Sequence, residues 1–174
     1  NGMCVAREGE SFLPHVPVEL VNRFDAGPIS AAQLVIPAKG ASVEAQVIEA
    51  YDGEIVTGRL LQTLAIEAGA VAAAPHLDIL KIAVVNRYAA APPAVGFIRG
   101  FGLKRGAIAS SVAHDSHNVV AVGATDEALA EAINLVIAAR GGVCAADGAA
   151  HQLLPLEIAG LMSAQPGERV AAQY

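Results

Sequence analysis

Seven consecutive residues, Ile79-Leu80-Lys81-Ile82-Ala83-Val84-Val85, are apolar at odd and even positions alike except for Lys81. A half-exposed strand alternates, whereas a run that is apolar in both registers predicts a central strand covered on each side. The chain must therefore build a sheet with something packed on both faces. Shorter runs of the same texture, at residues 43–50, 107–112, 119–123 and 143–146, supply further strands for that sheet.

Between residues 43–50 and the next apolar stretch lies Tyr51-Asp52-Gly53-Glu54, whose Asp-Gly pair predicts a two-residue hairpin. On the return arm Val56, Leu60 and Leu64 fall on one face and Thr57, Arg59 and Thr63 on the other, the period of a half-buried strand. Residues 2–40 read differently. Gly9, Pro14, Pro17, Gly27, Pro28 and Pro37 divide them into an extended lead-in with short strands at 3–7 and 33–36. Pro92-Pro93 breaks the chain again. The clearest helix spans 126–140, with Thr125 as N-cap, Asp126 and Glu127 in its first turn, Gly141 as stop, and Leu129, Ile133, Val136 and Ile137 as its buried stripe. Helical tendency recurs at 155–163 and after Pro166. These elements predict a mixed α/β fold: one mixed β-sheet with flanking helices in a single compact domain at 41–174, preceded by a lead-in at 1–40.

Composition narrows the function. The chain is 54% hydrophobic, yet it has no Trp and only 4% aromatics, so Ala, Val, Ile and Leu fill its core and no stacking platform for single-stranded nucleic acid is available. A net charge of -6 and a pI near 5.3 give no pull toward phosphate backbones or anionic membranes. Apolar runs stop short of the ~20 residues of a membrane span, and no basic-then-apolar leader opens the chain. A soluble, cytoplasmic protein with neither nucleic-acid nor membrane partners is expected. Cys4 and Cys144 belong to no zinc spacing and are expected to be buried or half-buried thiols.

One segment is polar where its surroundings are not. Ser110 and Ser111 lead into His114-Asp115-Ser116-His117-Asn118, between two strand candidates. Buried polar groups need partners, so this cluster either caps its own turn or meets a polar ligand. On a strand, His114 and His117 would point to opposite faces and Asp115 and His117 to the same one, so the two imidazoles converge only if the segment turns. Metal ligation, acid–base work and hydrogen bonding to a ligand remain open at this point. The other histidines, His15, His76 and His151, lack acidic neighbours at ligand spacing, and no metal is expected on this chain. A Ser-His-Asp triad does not arise from adjacent residues, and no nucleophile elbow is present. The run from Gly96 through Arg99, Gly100, Gly102, Lys104, Arg105 and Gly106 invites a phosphate-loop reading, but the glycine spacing misses it and a strand follows, so tight turning is expected instead. Glu49, Asp52 and Glu54 read as a solvated tip, and Asp78 and Lys81 as a local pair.

The stretch Ile79 to Tyr88, the stretch Val95 to Asn118 and Ile158-Ala159-Gly160-Leu161-Met162-Ser163, taken in order, resemble the carboxy-terminal domain of bacterial adenine deaminase, a metal-dependent amidohydrolase. The similarity extends from about Ala41 to Ser163, and Met3 to Phe12 resembles the end of the small β domain that returns after that family's barrel. The resemblance implies conversion of adenine and water to hypoxanthine and ammonia at a Mn or Fe centre in a (β/α)-barrel. This chain has no His-x-His pair and no barrel-length series of elements. It therefore reads as the terminal third of such an enzyme, inactive without a barrel supplied in cis or as a separate chain, and a homo-oligomer in the complete enzyme. Because such a polar cluster is costly unless it meets a polar ligand or another domain, His114, Asp115, His117 and Asn118 are expected to approach the purine pocket when the barrel is present, with Ser110 and Ser111 positioning the loop. The alternative expectation is a non-catalytic oligomerisation or purine-binding module.

Overall fold

The computed structural model describes residues 2–14 and 16–174; His15 lies outside the described residues. After the hairpin β1 (Ala6–Arg7) and β2 (Glu10–Ser11), the chain builds β3 (Ser42–Glu49), β4 (Gly58–Glu67), β5 (Ala70–Val71), β6 (Leu80–Val85), β7 (Ala94–Arg99), β8 (Ala107–Ser110) and β9 (Val119–Gly123). Helix α1 (Asp126–Ala138), β10 (Gly142–Ala146), β11 (His151–Pro155) and α2 (Gly167–Gln173) complete it. Among the described residues nine strands form one sheet in the order β11-β10-β8-β9-β6-β7-β3-β4-β5, antiparallel throughout except where β3 runs parallel to β7. The fold is thus mixed α/β, and the doubly apolar run occupies the middle of the sheet as β6.

Helix α1 forms where its signals stand. Thr125 Oγ1 accepts the Ala128 N–H at 3.2 Å, and Arg140 and Gly141 turn left-handed to end it. Its stripe of Leu129, Ala132, Ile133 and Val136 packs on Ala83, Val85, Ala109, Val119, Ala121 and Cys144 of the sheet. Each large side chain buried there is worth about 1.5–3 kcal/mol. Burial also raises the Cys144 thiol above its ordinary pKa, with the charge of Glu131 adding to the effect. From the lead-in, Phe24, Ile29 and Leu34 enter the same core.

The sheet's second face is covered differently. Leu103, Ala50 and Ala124 close over Leu80, Ile98 and Val122, but Ile82, Val84 and Val120 stay half-exposed. The expectation that β6 is covered on both sides is corrected accordingly: on this face Ile82 and Val84 keep partial exposure.

Other local readings also change. Residues 33–36 are not a strand; Ala31–Leu34 form a 3-10 turn in which Gln33 Oε1 accepts the Ser30 N–H at 2.9 Å, and Leu34 is pulled into the core. The Asp52-Gly53 turn exists, but β4 begins only at Gly58, opposite Glu49, so Ile55, Val56 and Thr57 lie outside the ladder; Tyr51 donates to Glu49 Oε2 at 2.7 Å across this loop. Glu49 also faces Arg99 and is half-buried, so it does not belong to a solvated tip. Residues 94–99, taken as part of a turning segment, are strand β7, held between β6 and β3. Residues 155–163 are not helical. Strand β11 ends at Pro155, and left-handed Ala159 and Gly160 shape a tight turn instead. Cys4 is exposed.

Candidate functional site

Antiparallel register decides which remote segments meet. Val85 at the end of β6 pairs with Val119 at the start of β9, Ser110 at the end of β8 pairs with Val120, and Gly142 at the start of β10 pairs with Pro155 at the end of β11. Asn86-Arg87-Tyr88, the 111–118 loop and the turn at Ala159-Gly160 therefore crowd one end of the sheet. Part of each of the three segments that carried the family resemblance meets the others there.

Ser111 anchors the loop. It is fully buried, and its Oγ accepts the Gly142 N–H at 2.9 Å and donates to the Gly160 carbonyl. Ser110 Oγ accepts the Val112 N–H at 3.0 Å and stiffens the exit from β8. The chain then turns, as convergence of the histidines requires. The His117 N–H closes on the Ala113 carbonyl, and His117 itself sits at φ 52°. A left-handed histidine is uncommon and is held only where its surroundings demand it. The turn brings the His114 and His117 rings to 5.6 Å between centroids. His114 Nε2 lies 3.3 Å from Asp115 Oδ1, with both side chains more than four-fifths exposed. Asp115 thus goes to solvent beside His114 rather than sharing a face with His117. His117 is half-buried, and its Nδ1 is enclosed without a hydrogen-bond partner among the described residues. Asn118 Oδ1 accepts the Arg87 N–H at 3.4 Å.

Beneath the loop lies a residue that sequence reasoning quoted but did not single out. Arg87 is 4% exposed. Its Nη1 donates to the Ala159 carbonyl and its Nη2 to the Tyr88 hydroxyl at 3.1 Å, which in turn donates to the Ser116 carbonyl at 3.4 Å. The guanidinium also lies over the rings of Tyr88, at 4.7 Å, and Phe24, at 5.9 Å. Gly160 fits because a Cβ there would stand 2.2 Å from Arg87 Nη1, and its φ of 68° suits glycine. The signal in the sequence was an arginine two residues beyond the end of an apolar strand.

The loop can exchange protons and hydrogen bonds. It presents two imidazoles and one carboxylate already set against His114, and no three His, Cys, Asp or Glu side chains converge among the described residues. Beside it, on the half-covered sheet face, an apolar groove of about 300 Å³ runs between Phe101 on one side and Val112 and Ala113 on the other, floored by Ile82 and Val122.

The opposite end of the sheet holds the glycine-rich loop. Asp78 is not paired with Lys81; its carboxylate accepts the Gly100 N–H at 2.8 Å and the Gly102 N–H at 2.6 Å. An anion does sit on these amides, and the chain supplies it. Lys104 donates to the Pro75 carbonyl, and Arg105 pairs with Asp147. Lys81 instead reaches Asp126 at 2.6 Å and the Leu34 carbonyl at 3.3 Å, tying the central strand to the start of α1.

Residues 54–174 match the family model described as the adenine deaminase C-terminal domain. Over its whole length the chain is similar to proteins named adenine deaminase: 52% identical to that of Salinibacter ruber, covering 32% of the relative, 45% to that of Methanosarcina acetivorans, covering 33%, and 37% to that of Borreliella burgdorferi, covering 32%. The chain thus spans about a third of the length of the curated relatives it matches. No helix among the described residues is long and apolar enough to cross a membrane.

Proposed function

The chain belongs to the family of adenine deaminase C-terminal domains, and from that premise we propose that it forms one wall of an adenine pocket whose reacting centre is held by residues outside it. The observation that carries this reading is the state of the 111–118 loop. His114 and Asp115 are exposed, and the His117 Nδ1 has no partner among the described residues. Adenine offers ring-nitrogen acceptors and an amino donor, and imidazole, carboxylate and amide groups complement both. The apolar groove beside the loop suits the face of a purine or the wall of a neighbouring domain.

In this proposal the complete enzyme hydrolyses the exocyclic C–N bond, adenine and water giving hypoxanthine and ammonia within purine metabolism in the cytoplasm. In it the Mn or Fe centre belongs to an amidohydrolase barrel, in cis or on a separate chain, and the isolated chain is inactive. His117 and Asn118 orient the purine, while His114 and Asp115 face the side from which water and ammonia pass. Replacing His117 by Ala in a full-length relative tests this directly. A fall in kcat or a rise in KM for adenine supports it, and unchanged kcat and KM removes the loop from the pocket.

A second reading is favoured by the half-exposed Ile82, Val84 and Val120: that face serves in homo-oligomerisation and the loop only caps a turn. Sedimentation of the isolated chain and adenine titration against it separate the two, since oligomers with neither purine affinity nor a His117 effect fit the second alone.

A further inference from the structure

Arg87 is an anomaly in this core. A buried guanidinium without a carboxylate partner is costly, by several kcal/mol, and an apolar residue of similar volume would fill the same space more favourably. Yet Arg87 meets no acidic side chain at ion-pair distance among the described residues, and its Nε has no acceptor at all. Its contacts are neutral: the Ala159 carbonyl, the Tyr88 hydroxyl and two aromatic faces. Its own backbone is equally engaged. The Arg87 carbonyl accepts the Asp25 N–H at 2.6 Å from the lead-in, and its N–H reaches Asn118 Oδ1. One residue thereby touches the lead-in, the 111–118 loop and the Ala159-Gly160 turn.

We propose that Arg87, acting through Tyr88, is the positioning residue that sets the His114–Asn118 loop. The direction of the hydrogen bonds carries the argument. Arg87 Nη2 donates to the Tyr88 oxygen, so the hydroxyl proton is left to point at the Ser116 carbonyl, one residue before His117. A cation on the accepting side polarises the hydroxyl and strengthens its onward donation. The second tether, Arg87 N–H to Asn118 Oδ1, lies one residue after His117. The left-handed His117 is thus flanked on both sides by contacts that start from one point, each at 3.4 Å. The planar fork matters, because a lysine ammonium can satisfy the Ala159 carbonyl but not hold the tyrosine hydroxyl in the same plane.

This inference deepens the adenine-pocket reading and rests on it only for its consequence in turnover. The test uses imidazole NMR signals of this chain carrying Tyr88→Phe or Arg87→Lys. Tyr88→Phe keeps the ring under the guanidinium and deletes only the hydroxyl. The expected result is that the His114 and His117 signals shift or broaden, while His76 and His151, on a remote turn and on β11, stay in place as internal references. Signals of His114 and His117 that do not move, or four histidines that move together, overturn the proposal. Should Arg87→Lys fail to fold, Tyr88→Phe alone decides. In a full-length relative the corresponding Tyr→Phe change is expected to lower kcat roughly 5-fold, the share of one hydrogen bond, with KM nearly unchanged. Loop signals that move while turnover does not uphold the positioning role and count instead against the pocket role of the loop. Unmoved signals in a protein inactivated by His117→Ala do the reverse.

Discussion

The two ends of the sheet carry loops of similar polarity and opposite condition. At the glycine-loop end, each polar group finds its partner on the chain: Asp78 takes two backbone N–H groups, Lys104 a carbonyl, Arg105 a carboxylate. At the other end His114 and Asp115 meet only each other and are both largely exposed, while the enclosed His117 Nδ1 and Arg87 Nε have no partner among the described residues. Glycines and basic residues invite a ligand on paper, yet an internal carboxylate already occupies that site. A loop is a candidate for binding when its polar groups are left over, not when they are merely numerous.

Four measurements press on that contrast. The largest effect is expected from Gly160→Ala, which forces a Cβ onto the buried Arg87 guanidinium in a left-handed backbone. Chemical denaturation should show a loss of about 3 kcal/mol or more, and a loss under 1 kcal/mol would mean that the Arg87 end is looser than described. Next comes His117→Ala in a full-length relative, expected to cut kcat/KM roughly 10- to 100-fold with little change in denaturation midpoint. Asp78→Ala should do the opposite. It removes the carboxylate from two N–H groups and costs about 1–2 kcal/mol of stability, with deamination unchanged. A drop in turnover there would erase the distinction between the two ends.

The smallest effect is a pH dependence at the glycine-loop end. The Ala150 and Ala149 N–H groups, with Arg105 beside them, hold the Asp147 carboxyl below its ordinary value of 3.8. A depressed carboxyl stabilises the folded state fully above its unfolded pKa, and that contribution fades as pH falls from 3.8 through the lower folded value. Asp147→Asn should therefore lower stability slightly above pH 5 and flatten the acid limb, so that the two profiles converge as pH falls below the folded value.

Much of this architecture was readable from residue order. The doubly apolar 79–85 run sits at the centre of the sheet, the even-numbered residues of β4 face inward as their alternation requires, and Thr125 caps α1. Strand β7 was hidden because Gly96 and Arg99 weaken its local signal; pairing with β6 and β3 on either side makes it a strand. Strand β11 was missed for the same reason, being a short edge that begins His151-Gln152 and ends in Pro155. At the candidate site the polar run 114–118 was plain, but its split into three exposed side chains, a half-buried and unpartnered His117 and a tethered Asn118 was not. Nor was the part played by Arg87 and Gly160, since Arg87 meets Ala159 72 residues further along the chain and Gly160 meets Ser111 49 residues before it.

Periodicity, capping and turn chemistry act over a few residues, so they are written into any short window of the sequence: which runs become strands, where α1 starts and stops, and that residues 111–118 are a polar interruption. The choice of neighbours across the sheet belonged to the folded molecule. Antiparallel register carried residues 85–88, 110–119 and 155–162 to one end, and there burial of a single arginine depends on groups that meet only after the sheet has formed. Long-range pairing sums many weak contacts over the whole chain, and no local window contains that sum.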